Sequence, residues 1–261
     1  MEQRLIEPAA PAQAAALFDG WQETLIWSAL EGCMGHIWVV SQKPRAALCE
    51  TGDFLFLSGA AQDPESRLLL DAWKRGNEGF KILVPRDQAC GALIEELFGR
   101  DVVAGTRYAF EKGGEHFDTA HLLHLKAGAP EGVNIVPVDG ALYHQAAQNE
   151  WSRDFVSQFH NAQDYLRRGI GFAALHEGRL VGGASSYTCY SRGIEIEVQT
   201  LDGWRRRGIA SACCAALILE CLKRGLYPSW DASNPVSVSL AQKLGYRLAG
   251  PYPVWIRGVH K

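Results

Sequence analysis

The chain has no CxxC spacing, and its seven cysteines (Cys33, Cys49, Cys90, Cys189, Cys213, Cys214 and Cys221) are odd in number. Neither a closed disulfide framework nor a zinc pattern is suggested. Reduced, buried thiols are expected, as in a cytoplasmic protein. Met1, Glu2, Gln3 and Arg4 lack the charged-then-apolar pattern of a signal peptide. No apolar run approaches the ~20 residues that span a bilayer, so no membrane partner is expected. A large charge excess is missing too. A formal net charge of -3 over 261 residues argues against a globally basic nucleic-acid binder. Internal repeats and low-complexity tracts are absent. What remains is ordinary for a folded soluble chain, 47% hydrophobic and 21% charged. Eight tryptophans are many, and four of them (Trp21, Trp27, Trp38, Trp73) lie in the first third, where core packing accounts for them.

Periodicity predicts a helix over 12–30, strands over 36–40, 46–50 and 54–58, a helix over 66–75, a strand over 80–84 and a helix over 90–98. Residues 108–111 and 120–125 flank Gly113-Gly114 and read as a hairpin. In that reading His121 and His124 point to opposite faces and make no metal site. The stretch 126–133 is short and rich in Pro and Gly, which places a boundary there. The expected domains are 1–128, an α/β domain of unassigned role, and 129–261. In the latter a strand over 134–138 precedes helices over 142–148 and 152–168. Strands over 171–176, 180–190 and 194–201 come next, then a helix after Gly208, a strand over 226–230, a helix over 235–244 and a strand over 246–256.

The most informative unit is 194–210. A period-2 strand, Ile-Glu-Ile-Glu-Val-Gln-Thr, runs into Arg205-Arg206-Arg207-Gly208-Ile209-Ala210 and an apolar helix. A strand feeding a Gly turn at a helix start aims backbone N–H groups at one point, and the helix dipole adds positive charge. That suits a pyrophosphate. The pattern is neither Gly-x-x-x-x-Gly-Lys-Ser/Thr nor Gly-x-Gly-x-x-Gly. A solvated basic turn is the plain alternative. Glu195, Glu197 and Gln199 share one face of the strand; Ile194, Ile196 and Val198 share the other. Carboxylates on a central strand need either a wet cleft or partners. In a cleft, Glu197 or Glu195 takes a proton from an amine. Cys213-Cys214 sits in an apolar run and reads as core rather than nucleophile.

Downstream, Trp230-Asp231-Ala232-Ser233-Asn234 is followed by Ser237, Leu240 and Leu244-Gly245-Tyr246. Here the chain resembles the GNAT superfamily of acyl-CoA-dependent N-acetyltransferases, in a branch with an extra N-terminal domain that includes antibiotic-resistance-type enzymes. Arg205, Gly208 and Ala210 match its Gln/Arg-x-x-Gly-x-Gly/Ala signature. Asn234, Leu240, Gly245 and Tyr246 match its later Asn-x-x-Ala-x-x-Leu-Tyr-x-x-x-Gly-Phe/Tyr segment. The resemblance covers about half the chain, from 134 onward.

The resemblance implies an α/β (α+β) fold with a mixed, mostly antiparallel, splayed sheet flanked by helices. It implies acetyl-CoA as co-substrate, no metal, and a primary amine on a small molecule as acceptor. Arg205, Arg206, Arg207, Gly208, Ile209 and Ala210 would hold the pyrophosphate. Val198, Gln199 and Thr200 would pair with the pantetheine arm, with a backbone N–H near Val198 polarising the acyl carbonyl. Asn234 and Ser237 would line the cofactor from the other side. The resemblance puts a tyrosine acid where this chain has Ala241, which leaves Tyr246, Tyr252 or water for that role. A non-catalytic acyl-CoA sensor is the alternative function. The N-terminal half would shape the acceptor side or a homodimer contact.

Overall fold

The computed structural model describes residues 5–8 and 10–258; the leader reading of residues 1–4 lies outside them. Two compact units result, Met1–Arg107 with Pro251–Lys261, and Tyr108–Gly250.

In the first unit a 3-10 turn, Pro11–Phe18, and α1 (Thr24–Leu30) replace the single helix expected over 12–30. The chain breaks at Asp19-Gly20, where Gly20 takes a φ of +84°. Strands β1 (His36–Trp38), β2 (Ala47–Thr51) and β3 (Phe54–Ser58) run antiparallel in turn. Helix α2 (Pro64–Gly76) carries the chain back so that β4 (Lys81–Pro85) lies parallel to β3. Helix α3 (Gln88–Phe98) and β5 (Val102–Phe110) come after it. Leu55, Leu57, Leu69, Leu83 and Ile94 close around the buried Trp73. Each such side chain contributes about 1.5–3 kcal/mol on burial.

The second unit opens with a correction. Thr119–Ala127 is a helix, α4, and not half of a hairpin. Asp118 caps it, accepting from the N–H groups of Ala120 and His121 at 2.8 and 3.1 Å. His121 and His124 therefore share a helix face, and His121 Nε2 lies 2.8 Å from the Lys243 carbonyl. No group of three or more metal-ligating side chains occurs among the described residues. Next come β6 (Val133–Pro137), α5 (Gly140–Gln148), a 3-10 turn Arg153–Phe155 and α6 (Ala162–Arg168). The helix expected over 152–168 is split because Asn161 caps α6 afresh, accepting from Asp164 N at 2.9 Å. Strands β7 (Gly171–His176), β8 (Arg179–Tyr190) and β9 (Gly193–Thr200) then pair antiparallel.

Helix α7 (Ile209–Lys223) packs on β7, β8 and β9 and also on α4. That explains its apolar residues on every face, and it makes α4 part of the second unit rather than of a domain over 1–128. Cys213 and Cys214 are fully buried there; burial pushes the Cys213 thiol up to about 12.

Strand β10 (Tyr227–Ser229) pairs parallel with β9 at three positions only, ending at Ser229↔Glu195. After Trp230 the chain leaves β9, and β11 (Asp231–Ala232) pairs with Ala109 and Tyr108 of β5. From Ile196 onward that side of β9 has no strand beside it among the described residues. Helix α8 (Pro235–Leu244) and β12 (Leu248–Arg257) finish the fold. The end of β12 returns to the first unit, where Trp255 and Ile256 pair with Leu83 and Ile82 of β4. The order there is β1-β2-β3-β4-β12-β5, and in the second unit β10-β9-β8-β7-β6.

The class is mixed α/β with mixed sheets, as expected. The repeat missing from the sequence is present in the pairing. Each unit has an antiparallel strand pair, a helix, a strand parallel to the second of the pair, then another helix. No helix among the described residues is long and apolar enough to cross a membrane.

Candidate active site

The open edge of β9 fixes where backbone groups point. Tyr227 N donates to Arg192 O at 2.8 Å, and Leu201 N donates to Val181 O of β8 at 3.0 Å. Peptide groups alternate sides along a strand, so those of Ile194, Ile196, Val198 and Thr200 face the β10 side. Beyond Ile196 they face the gap. Val198 thus aims its N–H and C=O into the opening. Gln199 is exposed and Thr200 half-buried. The Thr200 hydroxyl oxygen is buried with no hydrogen-bond partner among the described residues.

The loop into α7 uses its three arginines differently. Arg205 turns back, donating from Nε to Thr200 O at 3.2 Å and pairing with Asp202 at 2.8 Å. The Arg207 guanidinium lies 4.9 Å over the Trp204 ring, which itself sits 4.6 Å from the His176 ring. Arg206 takes a φ of +62°, costly for a non-glycine residue, and its side chain is exposed. Gly208 is the N-cap of α7 at φ +90°, and no side chain caps the helix. The first acceptor back along α7 is Gly208 O, taken by Ala212 N at 3.0 Å. The N–H groups of Ile209, Ala210 and Ser211 therefore have no intrahelical acceptor. A Cβ on Gly208 would stand 3.3 Å from Gly128 O. Lys243 donates to Ser211 Oγ at 3.2 Å and brings a further cation to this turn. Sequence reasoning did not find Lys243, because it approaches from the last turn of α8.

Asn234 and Ser237 lie toward the opposite end of α8, about 13 Å and about 9 Å along the helix from Lys243. Asn234 caps α8, its amide oxygen accepting from Ser237 N at 3.0 Å. Ser237 Oγ accepts from Trp230 Nε1 at 3.2 Å, at the point where the chain leaves β9. Ala241 is buried. Tyr246 is buried among Phe110, Phe117 and Trp230, and its hydroxyl donates to Pro228 O at 2.7 Å. Burial, then the neighbouring Tyr227, holds its phenol well above the ordinary tyrosine range. Tyr252 belongs to the first unit, where it lines a cavity of about 550 Å³.

The carboxylates sit on the other face of β9. Glu197 stands opposite Ser185 of β8. Ser185 Oγ meets Phe155 O and Tyr165 Oη, each at 2.7 Å, so this face looks toward α6 and the turn before it. Glu197 is half-buried and Glu195 is buried. Glu195 adds to the burial that raises the Tyr227 phenol. The arrangement assembles the β9 end, the loop and the start of α7 into one continuous surface. The orphaned Thr200 hydroxyl, the uncapped helix and the side-chain-free Gly208 fit a phosphate-bearing thioester such as acetyl-CoA.

Comparison with known proteins agrees. Residues 15–255 match the family model described as GNAT acetyltransferase. The chain is 28% identical over 132 residues to the uncharacterized N-acetyltransferase YdfB of Bacillus subtilis (strain 168), covering 49% of this chain and 50% of that protein. It thus spans about half the length of the curated relative it matches. A GCN5-related N-acetyltransferase-like protein from Streptococcus suis 89/1591 is 45% identical with a TM-score of 0.86, over 94% of this chain and 97% of that one. A tandem GNAT protein from the clavulanic acid biosynthesis pathway shares the fold, with a TM-score of 0.55 at 11% identity over 99% of both chains. GNAT acetyltransferases use acetyl-CoA as co-substrate. With a match over nearly all its length, this chain belongs to the GNAT acetyltransferase family.

Proposed function

We propose that the chain transfers an acetyl group from acetyl-CoA to a primary amine of a small molecule, by direct attack with both substrates bound. The carrying observation is the opening of β9 beyond Ile196, with a backbone donor at Val198 and a half-buried carboxylate at Glu197. Acetyl-CoA supplies an activated acetyl group. The loop N–H groups, Arg206 and Arg207 bind its pyrophosphate. Val198 N–H meets the charge that develops on the acyl oxygen. Glu197 takes the proton from the amine, directly or through water. Holding both reactants together removes much of the entropic barrier. Ala241 has no hydroxyl and the Tyr246 hydroxyl is committed to Pro228, so we assign the leaving-group proton to water. We assign the chain to a reducing compartment, the cytoplasm, because burial suits thiols such as Cys49, Cys90, Cys213, Cys214 and Cys221.

The test is thiol release from acetyl-CoA across a panel of amines, peptides and aminoglycoside-like compounds. Turnover with a small amine is expected. Glu197→Gln should lower kcat/KM about 10²–10⁴-fold at neutral pH. The deficit should shrink at high pH, where the amine is already unprotonated. Full turnover by Glu197→Gln at every pH would remove it as base. A sensor role, favoured by Ala241, predicts a higher Tm with acetyl-CoA and no turnover. No Tm change at millimolar acetyl-CoA would sink both readings.

A further inference from the structure

We propose that the first unit is a sealed copy of the cofactor half-site, so that each chain binds one acyl-CoA and not two. This rests on the reading of the second unit as an acyl-CoA site. The shared connectivity sets β3–α2–β4 against β9–α7–β10. In the second unit the helix start is open, capped only by Gly208. In the first, the same place is filled by the chain's own acids. Asp63 caps α2, accepting from Glu65 N at 2.9 Å. Pro64, at the first helical position, has no N–H to offer. Arg45 binds both Asp63 oxygens, at 2.6 and 3.1 Å, and its backbone N–H donates to Glu65 Oε2 at 2.7 Å.

Two carboxylates and an arginine thus occupy the position where a pyrophosphate would meet free N–H groups, and they would repel one. The turn is closed on one side by the β1–β2 connection, since a Cβ at Gly59 would fall 2.5 Å from Ala46 Cβ. The slot for an extended thioester arm is also shut. β3 and β4 stay paired over four positions, Phe54↔Ile82 to Leu57↔Pro85, where β9 and β10 part after three. The cavity of the first unit is lined by residues of 85–95 and 252–255, and by none from the start of α2.

Native mass spectrometry of the full chain titrated with acetyl-CoA tests this. One adduct per chain at saturation is expected, and Gly208→Val should abolish it. A second specific adduct, or a single adduct that survives Gly208→Val, overturns the proposal. If Gly208→Val fails to fold, the double variant Arg206→Glu, Arg207→Glu serves, and its one adduct should be lost. No adduct on the unmodified chain would remove the acyl-CoA reading and this proposal with it.

Discussion

Tyr246 shows how much a residue's surroundings decide its role. In sequence it is an aromatic side chain in a motif, open to duty as acid or as packing. In the fold its ring is enclosed by three other aromatics and its hydroxyl serves a β10 carbonyl. Tyr246→Phe should leave kcat unchanged and cost about 1 kcal/mol of stability, because Pro228 O loses its donor while buried. Matched kinetics and urea melts check this; a large fall in kcat at unchanged stability would restore it as acid. The arginines of the loop make the same point. Arg205, Gly208 and Ala210 are legible as a spaced motif. The division of labour is not, because it depends on Asp202, Thr200 O and Trp204 coming close. Glu195 and Glu197 are legible as sharing a face, whereas their unequal burial depends on β10 stopping at Ser229.

Elements with strong periodicity and clear ends are readable in this chain. Helix α8 falls at the expected 235–244, between the Asn234 cap and Gly245 at φ +106°. Where sequence reading fails, a cap decides. Leu122-Leu123-His124-Leu125 suits a strand by composition, but Asp118 begins a helix whose buried Leu122 and Leu125 share a face. Asn161 does likewise for α6, and that short helix is held by a charge cluster. Asp164, with a side chain only 7% exposed, is drawn below the usual carboxylate range chiefly by the Arg168 guanidinium, with Arg167 and His160 N–H adding. A carboxyl whose folded pKa is depressed stabilises the fold above its unfolded value, about 3.9. That contribution is lost as pH falls toward the folded value. Unfolding free energy should therefore decline below about pH 4. Asp164→Asn should start about 2 kcal/mol lower at neutral pH and decline less. Equal slopes in urea melts from neutral to acid pH would exclude Asp164 as the source.

At the scale of the molecule the internal repeat escapes sequence reading because it resides in pairing order, while the residues at the two helix starts differ, Asp63 and Pro64 in one and Gly208 in the other. The route of the chain is equally hidden. Pro251–Lys261 belongs to the first unit, and its strand lies between β4 and β5. Ending the chain after Gly250 should strip Leu83 and Ile82 of their partners, uncover β4 and β5, and lower the Tm sharply or drive aggregation. A melt followed by circular dichroism with light scattering reads both. The same routing has a consequence during synthesis. A ribosome must make all of Tyr108–Gly250 before it releases the strand that completes the first unit, an interval on the order of 10 s. Through that time the first unit waits with two unmatched strand edges, exposed to neighbouring nascent chains. Slow codons within 108–250 would lengthen that exposure and lower the yield of folded protein without altering a single residue.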